Sequence, residues 1–176
     1  MLHLRPPDVS LHVAWLAAHE EWGTGAHEDG FGLHADDDVT TRAGFAAWTR
    51  RLLDQADPDR AAAMGRLPAT YRWVVEDGDV LAGVALRHEL DGRTRSLGHV
   101  GFGVRPSARG RGVASWALGR TLGLARDLGL SSVALVCDVR NVASARTIER
   151  AGGVLVSVDD TRHGRTRRYE VGLDRS

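Results

Sequence analysis

The sequence predicts one mixed α/β domain built on a mostly antiparallel sheet, and three observations predict it. Strand-like and helix-like segments alternate along the 176 residues in the order β, α, α, β, β, β, α, β, α, β, β. The turns Asp77-Gly78-Asp79 and Asp91-Gly92 separate three apolar runs, which makes those runs antiparallel neighbours. A strand then passes through a glycine-rich turn into a helix, and the next strand should lie parallel to it.

Leu2-His3-Leu4-Arg5 alternates and stops at Pro6-Pro7, giving a short first strand. Ser10 can cap a helix running to Trp22, with Leu11, Trp15, Leu16 and Ala18 as its apolar positions. Gly23 to Gly32 reads as a loop. A second helix is expected from Val39 to Ala56, with Phe45, Trp48, Leu52 and Leu53 on one side. Asp57-Pro58 ends or kinks it, because proline disfavours helical geometry in the residue before it. Residues 59–69 carry no clear pattern. Tyr71 to Glu76, Val80 to Glu89 and Leu97 to Val104 follow as strands. Gly112 to Leu128 reads as a helix stopped by Gly129, Ser132 to Cys137 as a buried strand, and Val142 to Ala151 as a helix ended by Gly152-Gly153. Val154 to Val158 and Arg167 to Leu173 close the chain as two strands around a polar turn. With no repeat or linker, residues 1–176 form a single domain.

A hydrophobic share of 43% and a charged share of 26% are those of a globular protein with its own core. Cys137 is the single cysteine, which excludes an internal disulfide. The start, Met1 to Pro7, lacks the pattern of a signal peptide, and no apolar stretch reaches the roughly 20 residues that cross a bilayer. A cytoplasmic protein with no membrane partner is therefore expected. The net charge of zero and the lack of a basic face with aromatics argue against nucleic acid. That zero conceals an asymmetry: residues 1–60 hold 11 acids against five arginines, and the remainder is correspondingly positive. An anionic ligand would favour the second part of the chain and a cationic one the first.

The stretch Gly103-Val104-Arg105-Pro106-Ser107-Ala108-Arg109-Gly110-Arg111-Gly112-Val113-Ala114 carries the chemistry. The first turn of a helix leaves backbone N–H groups without internal partners, and the helix dipole adds positive potential there. Gly110 and Gly112 let a ligand approach the backbone closely, and Arg109 and Arg111 add charge suited to phosphate. This is not the G-x-x-x-x-G-K-[ST] loop, since the chain has no lysine. G-x-G-x-x-G fails as well, because Ser115 stands where the third glycine is wanted.

Arg109-x-x-Gly112-x-Ala114 resembles the [QR]-x-x-G-x-[GA] signature of the GNAT family of N-acetyltransferases, which holds the pyrophosphate of CoA. Val104, five residues before the arginine, matches the family's apolar strand end. Asn141-Val142-Ala143-Ser144, leading into a helix that ends in Gly152-Gly153, resembles the N-x-x-[AS] segment whose asparagine contacts the pantetheine. Read from the residue alone, Asn141 is equally a helix N-cap. The resemblance implies the acyl-CoA N-acyltransferase fold: a mostly antiparallel sheet with one splayed parallel pair, flanked by helices. It implies acetyl-CoA as co-substrate, no metal, and a CoA site made by Val104, Arg109, Gly110, Arg111, Gly112, Val113 and Ala114 with Asn141 and Ser144. Residues 71–173 would form the sheet and CoA-binding core, and residues 1–70 would wall the acceptor site.

The implied reaction is direct attack of a small molecule's primary amine on the thioester in a ternary complex, with the Val104 N–H polarising the carbonyl. His99 and Glu89 are the candidate bases, each with a plainer reading as a backbone-bonded core histidine and a solvated rim carboxylate. Ile148 stands where many members of the family carry a tyrosine that acts as acid. Tyr169 could substitute, although a buried, hydrogen-bonded tyrosine is the plainer reading. Cys137, among apolar neighbours, reads as a strand residue. The segment from Glu20 to Asp38, with His27, His34 and seven acids, could form a negative wall that attracts a cationic amine, or a solvated loop. Transfer of a longer acyl group, an acyl-CoA sensor without catalysis, and a homodimer paired through the late strands or helices stay open.

Overall fold

The computed structural model describes residues 1–23, 29–161 and 164–173. Seven strands form one sheet: β1 (His3–Arg5), β2 (Ala69–Glu76), β3 (Asp79–Arg87), β4 (Val100–Val104), β5 (Ser132–Asp138), β6 (Val154–Thr161) and β7 (Gly164–Gly172). Their order across the sheet is β1-β2-β3-β4-β5-β7-β6. Every neighbouring pair is antiparallel except β4 and β5, which run parallel as the sequence predicts. The helices are α1 (His12–Trp22), α2 (Arg42–Asp54), α3 (Pro58–Ala63), α4 (Val113–Asp127) and α5 (Val142–Arg150).

Two cores form because alternate strand residues face opposite sides of the sheet. On one side, Val84, Leu86, Val100, Leu135 and Tyr169 pack with Val113, Leu118 and Leu122 of α4 and Ile148 of α5. On the other, Trp15 of α1, Phe45 and Trp48 of α2, Phe31 and Trp73 form a buried aromatic cluster, with Trp48 and Trp73 stacked at 5.6 Å. The loop from Asp29 to Phe31 reaches the sheet on this second side. A Cβ on Gly83 would lie 2.7 Å from the Phe31 ring, and one on Gly103 would lie 2.6 Å from the Asp29 carbonyl oxygen. The glycines of β3 and β4 thus let the loop lie directly on the backbone.

Local chemistry moves several boundaries. The cap of the first helical segment is Asp8, whose carboxylate accepts from the Ser10 N–H ahead of a 3-10 turn at Val9–Leu11. Thr41 caps α2, so that helix starts at Arg42 and not at Val39. α2 stops at Asp54 and Asp57 caps the next helix: α3 occupies part of the segment without a pattern, with proline in its first turn. Leu97 to His99 precedes β4, held to β5 by an isolated bridge at Gly98. The closing strands are longer than expected. On the outer strand β6, Val154, Leu155, Val156 and Val158 are all exposed, so no inward-outward alternation marks its length.

Candidate active site

The site begins where the sheet comes apart. The one pairing between β4 and β5 is Val100 with Leu135. Beyond it the strands diverge among the described residues, and a gap opens toward their C-terminal ends. The register fixes which groups face it. Arg87 N–H donates to the His99 carbonyl (2.7 Å) and Arg105 N–H to the Leu81 carbonyl (2.9 Å), so odd-numbered residues of β4 bond to β3. An antiparallel ladder alternates, which turns the N–H and C=O groups of Phe102 and Val104 toward β5. The gap is therefore edged by backbone polar groups able to pair with an extended amide-bearing arm.

Helices α4 and α5 start just beyond the ends of these two strands. Their first turns differ in one respect. Asn141 caps α5, its Oδ1 accepting from the Ser144 N–H at 3.0 Å. Gly112, at φ +78°, begins α4 with no side-chain cap. The first-turn N–H groups of a 15-residue helix are thus free of side-chain partners on an exposed glycine turn, the arrangement that attracts an anion. A Cβ at Gly110 or Gly112 would meet nothing within 4 Å, so the approach is open.

The arginines of this turn have intramolecular contacts. Arg109 Nε donates to the Val104 carbonyl at 3.0 Å, and its guanidinium lies 5.1 Å from the centroid of Trp22. Arg111 pairs with Glu76 at 2.5 Å, and that partner holds the Glu76 carboxyl below its ordinary range. Asn141 makes its cap through Oδ1, and Ser144 supplies the capped N–H.

His99 closes the narrow end of the gap. Its N–H donates to the Ala134 carbonyl (2.7 Å), and its Nδ1 accepts from the Ala134 N–H (3.0 Å). While that bond stands, Nδ1 carries the lone pair and the neutral ring holds its proton on Nε2. Burial, then the charges of Arg168 and Arg87, hold the His99 pKa below its ordinary value. Accepting a proton on Nδ1 would break the bond from Ala134. Glu89 lies exposed, two residues past the end of β3. The site residues are not all at one point: Val104 is five residues from His99 along β4, about 16 Å at 3.3 Å per residue. Phe102, whose N–H also faces the gap, is about 10 Å away by the same rise.

Sequence reasoning missed how the acidic segment is used. Glu21 accepts from Arg105 Nε (3.0 Å) and Nη2 and from the Ser107 N–H (3.1 Å), fastening the end of α1 to the turn after β4. Arg105 and Ser107 hold its pKa down to about 2. Asp37 pairs with Arg51 at 2.5 Å, and Asp38 accepts from Thr40 and Thr41 ahead of α2. These three acids build the fold and do not form a free negative wall. His27 and Glu28 lie outside the described residues. Tyr169 is buried, its hydroxyl donating to Glu149 at 2.9 Å, and Cys137 is buried with its thiol pKa raised by desolvation. Among the described residues, no group of three His, Cys, Asp or Glu is placed to hold a metal, and no helix is long and apolar enough to cross a membrane.

A sheet that parts at its single parallel pair, with an uncapped helix N-terminus at the mouth of the gap, defines the acyl-CoA acyltransferase class of fold. The chain matches the family model described as "Acetyltransferase (GNAT) domain" over residues 2–154. It belongs to the GNAT family and is an acetyltransferase. No curated protein matches it in sequence. Similar solved structures share the architecture. The ribosomal-protein-S5-alanine acetyltransferase from Vibrio fischeri is 16% identical, with a TM-score of 0.70, 98% of this chain covered and 93% of that one. The microcin C7 self-immunity acetyltransferase MccE, in complex with acetyl-CoA and AMP, is 12% identical with a TM-score of 0.71, covering 97% and 92%. A GNAT-family acetyltransferase from Streptococcus pneumoniae is 14% identical with a TM-score of 0.67, covering 99% and 100%. At these identities the likeness establishes the fold.

Proposed function

We propose that this acetyltransferase moves an acetyl group from acetyl-CoA to the primary amine of a small molecule, by direct attack in a ternary complex. The observation that carries the reading is the uncapped first turn of α4 beside the gap. Pyrophosphate would take the free N–H groups of Val113 and Ala114 and the positive end of the helix, with Gly110 and Gly112 leaving room. The pantetheine arm would run along the edge of β4, and Asn141 would meet it with its amide. The thioester carbonyl would accept a backbone N–H from Val104 or Phe102. A small acceptor is supported by the loop Asp29–Phe31, which covers the glycines of β3 and β4 and narrows the approach on that side.

Calorimetric titration with acetyl-CoA tests the cofactor half. Micromolar binding is expected for the wild type. Arg109→Ala should weaken it about tenfold, the loss of one charged phosphate contact. No detectable binding to the wild type would reduce the glycine turn to a connector.

His99 is the proposed proton acceptor through a chain of waters, since it lies about 10 Å along the strand from Phe102, with Glu89 beyond it. Its pKa lies below the ordinary histidine value, so His99 is neutral at neutral pH, and taking a proton on Nδ1 requires it to give up the bond from the Ala134 N–H. The rate constant kcat should therefore be level above about pH 6.5 and fall only at lower pH. His99→Ala should remove that acid limb and lower kcat at least about tenfold. An unchanged pH profile and kcat would make His99 only the lock between β4 and β5.

A further inference from the structure

We propose that Arg87 anchors a carboxylate of the acceptor, so that the substrate is an amino-acid-like amine with a free carboxylate. The inference rests on the acetyl-transfer reading above and names the chemical class of its acceptor. Arg87 ends β3 directly across from His99, and their side chains share the face of the sheet on which the loop Asp29–Phe31 lies. The side chain is largely buried. Its Nη1 donates to the Gly98 carbonyl at 3.0 Å, which holds the guanidinium beside the closed end of the gap. No ion pair joins it to a carboxylate among the described residues.

A largely buried guanidinium with no carboxylate bonded to it is costly, and groups of this kind concentrate where a ligand completes them. The surroundings point to the sign of that ligand. Tyr71 feels three cations, of which Arg51 is paired with Asp37 while Arg87 and Arg66 have no ion pair among the described residues. Arg168 approaches His99 from the β7 side, its Nη1 held by the Arg95 carbonyl at 2.7 Å. Of the acids nearby, Asp37 is taken by Arg51, Glu170 accepts from Ser132, and Asp29 acts on Arg87 through its charge without an ion pair between them. The half of the site next to His99 is thus rich in guanidinium, whose fork matches a carboxylate in two parallel bonds. A carboxylate held there would leave the α-amine of the same molecule a few bonds away, toward the gap. The charge asymmetry of the sequence suggests a cationic acceptor; the guanidinium groups beside His99 favour one that also carries a carboxylate.

The test is thiol release from acetyl-CoA with the standard L-amino acids, each beside its own carboxamide. At least one acid should be acetylated with kcat/KM about 100-fold above its amide. Arg87→Met should erase that ratio chiefly through KM, and Arg87→Lys should restore part of it. Acetyl-CoA affinity, measured by calorimetry, should stay within about threefold in both variants. An amide as good as its acid, or a preference that survives in Arg87→Met, overturns the inference. Bound acetyl-CoA with no acid acetylated overturns it as well, while leaving the cofactor site intact. Failure of acetyl-CoA to bind the wild-type protein overturns the transfer reading, and this inference with it.

Discussion

Gly112→Val is expected to weaken acetyl-CoA binding at least about 100-fold, a loss of nearly 3 kcal/mol by the relation between affinity and free energy. Two effects combine. The backbone at Gly112 has φ +78°, and a β-branched residue is poorly tolerated there. The added side chain would also stand over the uncapped N–H groups of α4, in space that is open within 4 Å. That openness means the protein itself meets no clash, so the variant should fold with a penalty of about 1–2 kcal/mol from backbone strain. Gly65→Val separates the two effects. Gly65 has φ +65° and equally open surroundings, but it follows α3, away from the gap. It should lose similar stability and no affinity. Equal affinity losses in both variants would show that strain, and not access to the helix N-terminus, governs binding.

Glu21→Ala is expected to cost about 2–3 kcal/mol, below the range for a fully buried pair because Glu21 keeps 28% of its side-chain exposure. Its partner Arg105 is only 12% exposed and would be left without a carboxylate. The pH dependence follows from the same contacts. Arg105 and Ser107 hold the folded pKa of Glu21 down to about 2, from an ordinary 4.5. The stabilisation is therefore present above about pH 4.5 and is lost as the pH falls toward 2. A shift of that size corresponds to about 3 kcal/mol, and solvent screening reduces it to about 1–2 kcal/mol. Glu21→Gln should flatten the dependence of unfolding free energy on pH across this window. A slope equal to the wild type's would mean the ion pair contributes nothing in solution. The neighbouring Trp22 packs at Gly103 and beneath Arg109, so loosening the end of α1 should also raise the KM for acetyl-CoA.

Apart from α3, the order of the helices and strands is legible in the chain, as are the parallel pairing of β4 with β5 and the glycine turn before α4. Each depends on short-range rules: the period of apolar residues, the turn chemistry of Asp-Gly, and the freedom of glycine at positive φ. Asn141 as an N-cap is legible for the same reason, since its partner Ser144 is three residues away. Boundaries shifted where a second local signal competed, as with Asp8 and Thr41, and where neither face of a strand is buried, as with β6.

What only the tertiary structure decided is which charged groups are spent on folding and which are buried without an ion pair. Glu21 meets Arg105 across 84 residues, and the His99 ring meets the Ala134 N–H across 35. Such pairings depend on strand order and register, which bring distant segments together without leaving a periodic trace in sequence. Arg87 illustrates the limit. In sequence it is one of 23 identical cations. Burial at the end of β3, opposite His99, is what separates it from a solvated arginine, because the desolvation of a charge is a property of the assembled site and not of the residue.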